Sequence, residues 1–88
     1  MVKEINYKFE MRELGMLRIK MYKNRVVVKG NTYYIDENVS DELFKLAKDI
    51  ADEEIEYREM NGIEDKDIEK ILEDTFETCI LEYLEEVA

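Results

Sequence analysis

Residues 65–87 read DKDIEKILEDTFETCILEYLEEV, and this stretch decides the fold. Ile68, Ile71, Leu72, Phe76, Cys79, Ile80, Tyr83, Leu84 and Val87 recur in it at spacings of three and four. That spacing predicts one amphipathic helix with a wide apolar face. Glu69, Glu73, Asp74, Glu77, Glu82, Glu85 and Glu86 fall outside the apolar set, and no basic residue follows Lys70. They read as an acidic outer face. Like charges four residues apart cost a helix about 0.2–0.5 kcal/mol per pair. Glu82, Glu85 and Glu86 also sit where the helix dipole favours cations. The face therefore departs from local helix rules and is the first candidate for function.

Working back, Ser40 is the expected N-cap of a preceding helix, followed by Asp41 and Glu42 in the first turn. That helix is expected over 40–61, with Leu43, Phe44, Leu46, Ala47, Ile50, Ala51 and Ile55 inward and Gly62 as its left-handed cap. The short loop before residue 65 makes the two helices antiparallel neighbours. Asp49, Asp52, Glu53 and Glu56 crowd one surface of the first helix without a calcium-loop pattern.

Residues 1–36 alternate with period two. Strands are expected at 2–12, 16–22, 25–29 and 32–36, with turns at Gly15, Lys23-Asn24 and Gly30-Asn31. Ile5, Tyr7, Phe9, Met11, Leu17, Ile19, Met21, Val26, Val28, Tyr33 and Ile35 face inward in this reading. Lys8, Arg12, Arg18, Lys20, Arg25 and Lys29 face outward, with Tyr22, Val27 and Tyr34 among them and Glu4, Glu10 and Asp36 to pair with them. The expectation is one α+β domain over residues 1–88: a four-stranded antiparallel β-meander, then two antiparallel α-helices packed on one face, the second over 65–87.

Composition narrows the function. Residues 1–35 carry eight Lys/Arg and three Glu (net +5), and residues 36–88 five Lys/Arg and twenty Asp/Glu (net −15), which together give −10. The chain has no His and one Cys, so a Ser-His-Asp or Cys-His arrangement cannot be built from it. Three isolated glycines form neither a P-loop nor a dinucleotide fingerprint. No enzyme activity, cofactor or metal site is expected. Without a disulfide framework, a leader or a long apolar run, the chain reads as a soluble cytoplasmic protein with no membrane span. Its net charge disfavours direct nucleic-acid binding.

Two resemblances follow from the layout. From Thr32 onward, Tyr33-Tyr34-Ile35, Ser40-Asp41-Glu42-Leu43 and Ile80-Leu81-Glu82-Tyr83-Leu84-Glu85-Glu86 look like a ribbon-helix-helix regulator. That resemblance implies a DNA-binding dimer with Thr32, Tyr34 and Asp36 on the reading face. In size, charge and layout the whole chain also resembles the small acidic anti-CRISPR proteins of phages, with no motif carrying the likeness. It implies a viral or mobile-element inhibitor that mimics nucleic acid and occupies a basic groove on a CRISPR effector or another nucleic-acid-binding protein. Glutamates four apart on a helix are about 6 Å apart, sparser than the roughly 1.7 Å per charge of duplex DNA. Mimicry therefore needs both helices or a dimer.

The leading expectation is a non-enzymatic acidic protein-binding module whose contacts are Glu69, Glu73, Asp74, Glu77, Glu82, Glu85 and Glu86. On this reading, reversing Glu73 and Glu77 to lysine weakens partner capture and affects folding little. The alternatives are the dimeric regulator and a structural homo-oligomer meeting through Leu81 or through Tyr22, Val27 and Tyr34.

Overall fold

The computed structural model describes the backbone of residues 3–9 and 12–87, and the side chains from Arg18 to Val87 apart from Asp65. The chain runs β1 (Lys3–Phe9), β2 (Arg12–Met21), β3 (Val26–Val28), β4 (Asn31–Tyr33), α1 (Glu37–Glu59) and α2 (Asp65–Val87). It is an α+β protein, an antiparallel sheet followed by two helices. The strands hydrogen-bond in the order β1-β2-β3-β4, and β2, β3 and β4 make the part of the sheet whose side chains are described. The inward assignments of Ile5, Tyr7, Phe9, Met11 and Leu17 lie outside the described side chains, as do the outward ones of Glu4, Lys8, Glu10 and Arg12.

Period-two alternation holds where it can be followed. Ile19 pairs with Val28 and Met21 with Val26, and all four are essentially fully buried. Ile35 is buried and Tyr33 is half-buried on the same core. Opposite them, Arg18 and Lys20 are exposed and Val27 is half-buried.

The turns shift from their expected positions. Gly15 lies inside β2 rather than in a turn, and Phe9 pairs with Arg12. The β1–β2 register slips between Glu4 and Asn6 and again between Asn6 and Lys8. Strand β2 thus carries more residues than β1 over the same length, and a glycine inside a strand suits such an irregularity. The second hairpin keeps Lys23-Asn24 at its tip, with the Tyr22 N–H donating to the Arg25 carbonyl at 2.8 Å. The third moves back by one residue. Val28 pairs with Asn31, and the two residues between, Lys29 and Gly30, have φ of 55° and 83°. Two consecutive positive φ values are the mark of a type I′ turn, whose twist matches the strands it joins. Lys29 therefore leaves the alternation of β3.

Helix α1 starts before Ser40. Asp36 is the N-cap, and its side chain accepts from the Asn38 N–H at 2.8 Å. Ser40 is buried inside the first turn, with its Oγ donating to the Glu37 carbonyl at 2.9 Å. Both residues have capping chemistry. The choice follows from a tertiary bond, in which the Glu37 N–H donates to the Lys23 carbonyl at 3.0 Å and ties the helix start to the β2–β3 turn. At the other end Gly62 has φ of 84°, the left-handed conformation expected of it.

Helix α2 packs on β2 and β3, and α1 packs chiefly on α2. Ser40, Ala47, Ala51 and Ile55 form the buried arc of α1, and Phe44 meets Phe76 edge-to-face at 5.4 Å between centroids. Leu46 and Ile50, expected in the core, are instead 52% and 46% exposed. Each precedes a buried alanine by one residue, a rotation of about 100° off the arc. Ile68, Leu72, Phe76, Cys79 and Ile80 fill the core from α2 as their spacing predicts.

Candidate functional site

The seven α2 carboxylates from Glu69 to Glu86 do not form one solvent-facing set. Glu73 is 5% exposed, a buried acid. Its Oε2 accepts the backbone N–H of Arg18 at 2.8 Å and lies 3.5 Å from the Arg18 Nε. At about 100° per residue Glu73 stands roughly 60° from Phe76, inside the arc between Phe76 and Leu84. Its position on the wheel was the signal that it faces the sheet. Counting it among the outer acids missed this.

Asp74 and Glu77 are also turned toward the strands. Asp74 Oδ1 forms an ion pair and hydrogen bond with Lys29 Nζ. Glu77 Oε2 accepts from Asn31 Nδ2 and from the Tyr33 hydroxyl, each at 2.9 Å, and Glu77 Oε1 lies 3.9 Å from Lys29 Nζ. The type I′ turn at Lys29-Gly30 makes this possible by releasing Lys29 from the outward row of the sheet. The chain thus neutralises part of its acidic helix with its own basic strands. Reversing Glu73 and Glu77 to lysine would set cations against Arg18 and Lys29, so the expectation that folding is little affected is overturned.

Electrostatics follow the same contacts. The hydrogen bond to Asp74 raises the Lys29 pKa above 10.5; desolvation opposes it, and the charges of Asp74 and Glu77 reinforce it. Burial pushes the Tyr33 hydroxyl above 10.0, and the bond to Glu77 adds to the rise. Burial also raises the Cys79 thiol above 9.0, with Glu82 contributing. A buried thiol with a raised pKa is a poor nucleophile.

The remaining acids behave differently. Glu69 is half-buried, while Glu82, Glu85 and Glu86 are exposed. Among the described residues no cation lies within ion-pair range of those last three, and the last turn of α2 has no basic residue. On α1, Glu54 pairs with Arg58 at 2.9 Å. Two concavities meet along the α1–α2 seam. One of about 380 Å³ includes Glu54, Arg58, Lys70, Ile71 and Asp74. The other, of about 330 Å³, is lined by Ile50, Asp74, Thr75, Thr78, Cys79 and Glu82. They adjoin at Asp74 and Thr75, which line both.

The outer sheet face keeps Lys20 and Arg25, with the Arg25 guanidinium 3.9 Å from the Tyr22 ring centroid, while the Arg18 side chain reaches Glu73 on α2. Lys29 has left that face for α2. Of the residues that the ribbon-helix-helix resemblance places on a reading face, Thr32 and Tyr34 are exposed, and Asp36 is occupied as the α1 cap. Among the described residues no group of three His, Cys, Asp or Glu side chains could hold a metal ion, and no helix is long and apolar enough to cross a membrane. No protein-family model, curated protein or solved structure matches the chain.

Proposed function

We propose that this chain, built on a four-stranded meander under a helical hairpin, is a non-enzymatic protein-binding module that holds a basic partner on its acidic helical surface. The partner class is a nucleic-acid-handling protein with a cationic groove, and occupying that groove inhibits it. The observation that supports this reading is the end of α2. Glu82, Glu85 and Glu86 are exposed at the negative end of the helix dipole, with no basic residue in the last turn. Further up the same helix, Glu73, Asp74 and Glu77 are met by the chain's own cations. Acids left unanswered against a local electrostatic preference fit selection for a partner. They supply steering and rim ion pairs, which act mainly on association rate and salt dependence.

The test is affinity capture from a lysate rich in nucleic-acid-binding proteins. The wild-type chain is compared with a Glu82→Lys, Glu85→Lys, Glu86→Lys variant. These side chains are exposed, and the change favours the helix dipole, so the variant folds at least as well. Capture that disappears in the variant, weakens with salt and is competed by duplex DNA supports the proposal. Equal capture by both proteins sinks it.

A further inference from the structure

The outward side of α1 carries a second apolar row that the core does not use. Leu46, Ile50 and Tyr57 are 52%, 46% and 75% exposed. They fall within an arc of about 40° at 100° per residue. Ile50 is also one wall of the 330 Å³ groove floored by Thr75, Thr78 and Cys79. A lone exposed aliphatic residue needs no explanation. A row in helical register, continuous with a groove, does.

Beside Leu46 and Ile50 the borders of this strip are mostly acidic, whereas toward Tyr57 the adjoining concavity brings in Arg58, paired with Glu54, and Lys70. On the solvent side of α1, Glu42, Asp49, Glu53 and Glu56 fall within about 60–120° of Ile50. On the α2 side, the groove lining contributes Asp74 and Glu82 and no cation. We infer that the strip docks a basic amphipathic helix, whose apolar face covers Leu46 and Ile50 and whose flanking lysines or arginines meet both acidic borders. This is helix-in-groove recognition, with anchors at the spacing of helix turns and charge at the rim. A second copy of the chain would bring Asp49, Glu53 and Glu82 against their like, each chain carrying −10. Nucleic acid would meet the same repulsion. The inference rests on the protein-binding reading above and adds the shape and chemistry of the partner.

Two synthetic peptides of identical Leu/Lys composition test it. One is patterned so that its leucines line one helical face, and the other is scrambled. Binding to the full chain is measured by fluorescence anisotropy at physiological salt. The patterned peptide is expected to bind at least about tenfold tighter than the scrambled one. A Leu46→Gln, Ile50→Gln variant, checked for native circular dichroism, is expected to lose that preference while keeping the weak charge-driven binding common to both peptides. No preference in the wild type, or a preference that survives the variant, overturns the inference. A concentration-dependent dimer dissolved by the same variant also overturns it, by assigning the strip to a second copy. A Glu85→Lys, Glu86→Lys variant leaves the strip and its border residue Glu82 intact, so it reads on capture from lysate and not on the peptide preference, and the two proposals fail separately.

Discussion

Replacing Glu77 by alanine should destabilise this protein, although the residue looks like one surface glutamate among the six of α2. One oxygen of Glu77 accepts from both Asn31 and Tyr33, each at 2.9 Å, and thereby fastens α2 to the edge strand β4. A hydrogen bond to a charged group contributes about 1.5–3 kcal/mol. The two bonds share one acceptor oxygen, so their contributions do not add, and about 2 kcal/mol is the expected loss for the pair. The 3.9 Å approach of Lys29 is left out of that figure, because an ion pair open to water contributes little. In a domain of this size 1 kcal/mol moves the melting temperature by about 4–8 °C. Glu77→Ala should therefore melt about 8–16 °C lower. Glu85→Ala is the control, an exposed acid on the same helix whose loss should stay within about 0.5 kcal/mol. Urea titration followed by far-ultraviolet circular dichroism measures both, and the slope with denaturant should not change. Molar salt should leave most of the difference in place, since hydrogen bonds are screened far less than exposed charges. If the two variants unfold at the same urea concentration, Glu77 is a solvated surface acid and the docking of α2 on β4 is misassigned.

Two further outcomes follow from the geometry. Tyr33 keeps its proton in the folded chain above its ordinary pKa of 10.0, and Lys29 keeps its own above 10.5. Above those values the unfolded chain binds fewer protons than the native one, so stability should fall as pH rises through and beyond them. Tyrosinate absorbance should show Tyr33 ionising above the usual range, and Tyr33→Phe should flatten the alkaline loss. Asp36→Ala should cost about 1 kcal/mol as the loss of an N-cap, more than Ser40→Ala. The reverse order in paired urea titrations would return the cap to Ser40.

Much of the architecture was legible because its signals are local. The spacing of apolar residues from Ile68 to Val87 placed α2 at Asp65–Val87. Alternation around Ile19, Met21, Val26 and Val28 identified the buried side of the sheet. Lys23-Asn24 and Gly62 marked a hairpin tip and a helix end. Each signal depends on residues within a turn or two of one another, where backbone sterics and side-chain direction are set by the neighbours alone. The candidate site was legible only in part. Sequence pointed to an acidic α2 and to the exposed Glu82, Glu85 and Glu86. It grouped Glu73, Asp74 and Glu77 with them because neither the helix pattern nor the charge count shows what crosses beneath a helix flank.

By itself, then, the sequence determined the element types, the apolar faces and the charge imbalance between the two halves. Tertiary structure decided which residues those elements expend on one another. Asp36 caps α1 because the Glu37 N–H reaches the Lys23 carbonyl across the fold. Lys29 meets Asp74 because the β3–β4 turn falls one residue early and lifts its side chain out of the strand alternation. Leu46 and Ile50 stay exposed because the buried arc of α1 runs through Ala47 and Ala51, one residue round the helix from each. In each case several partners are equally compatible with the local chain. The choice belongs to contacts between segments distant in sequence, whose distances only the assembled fold sets.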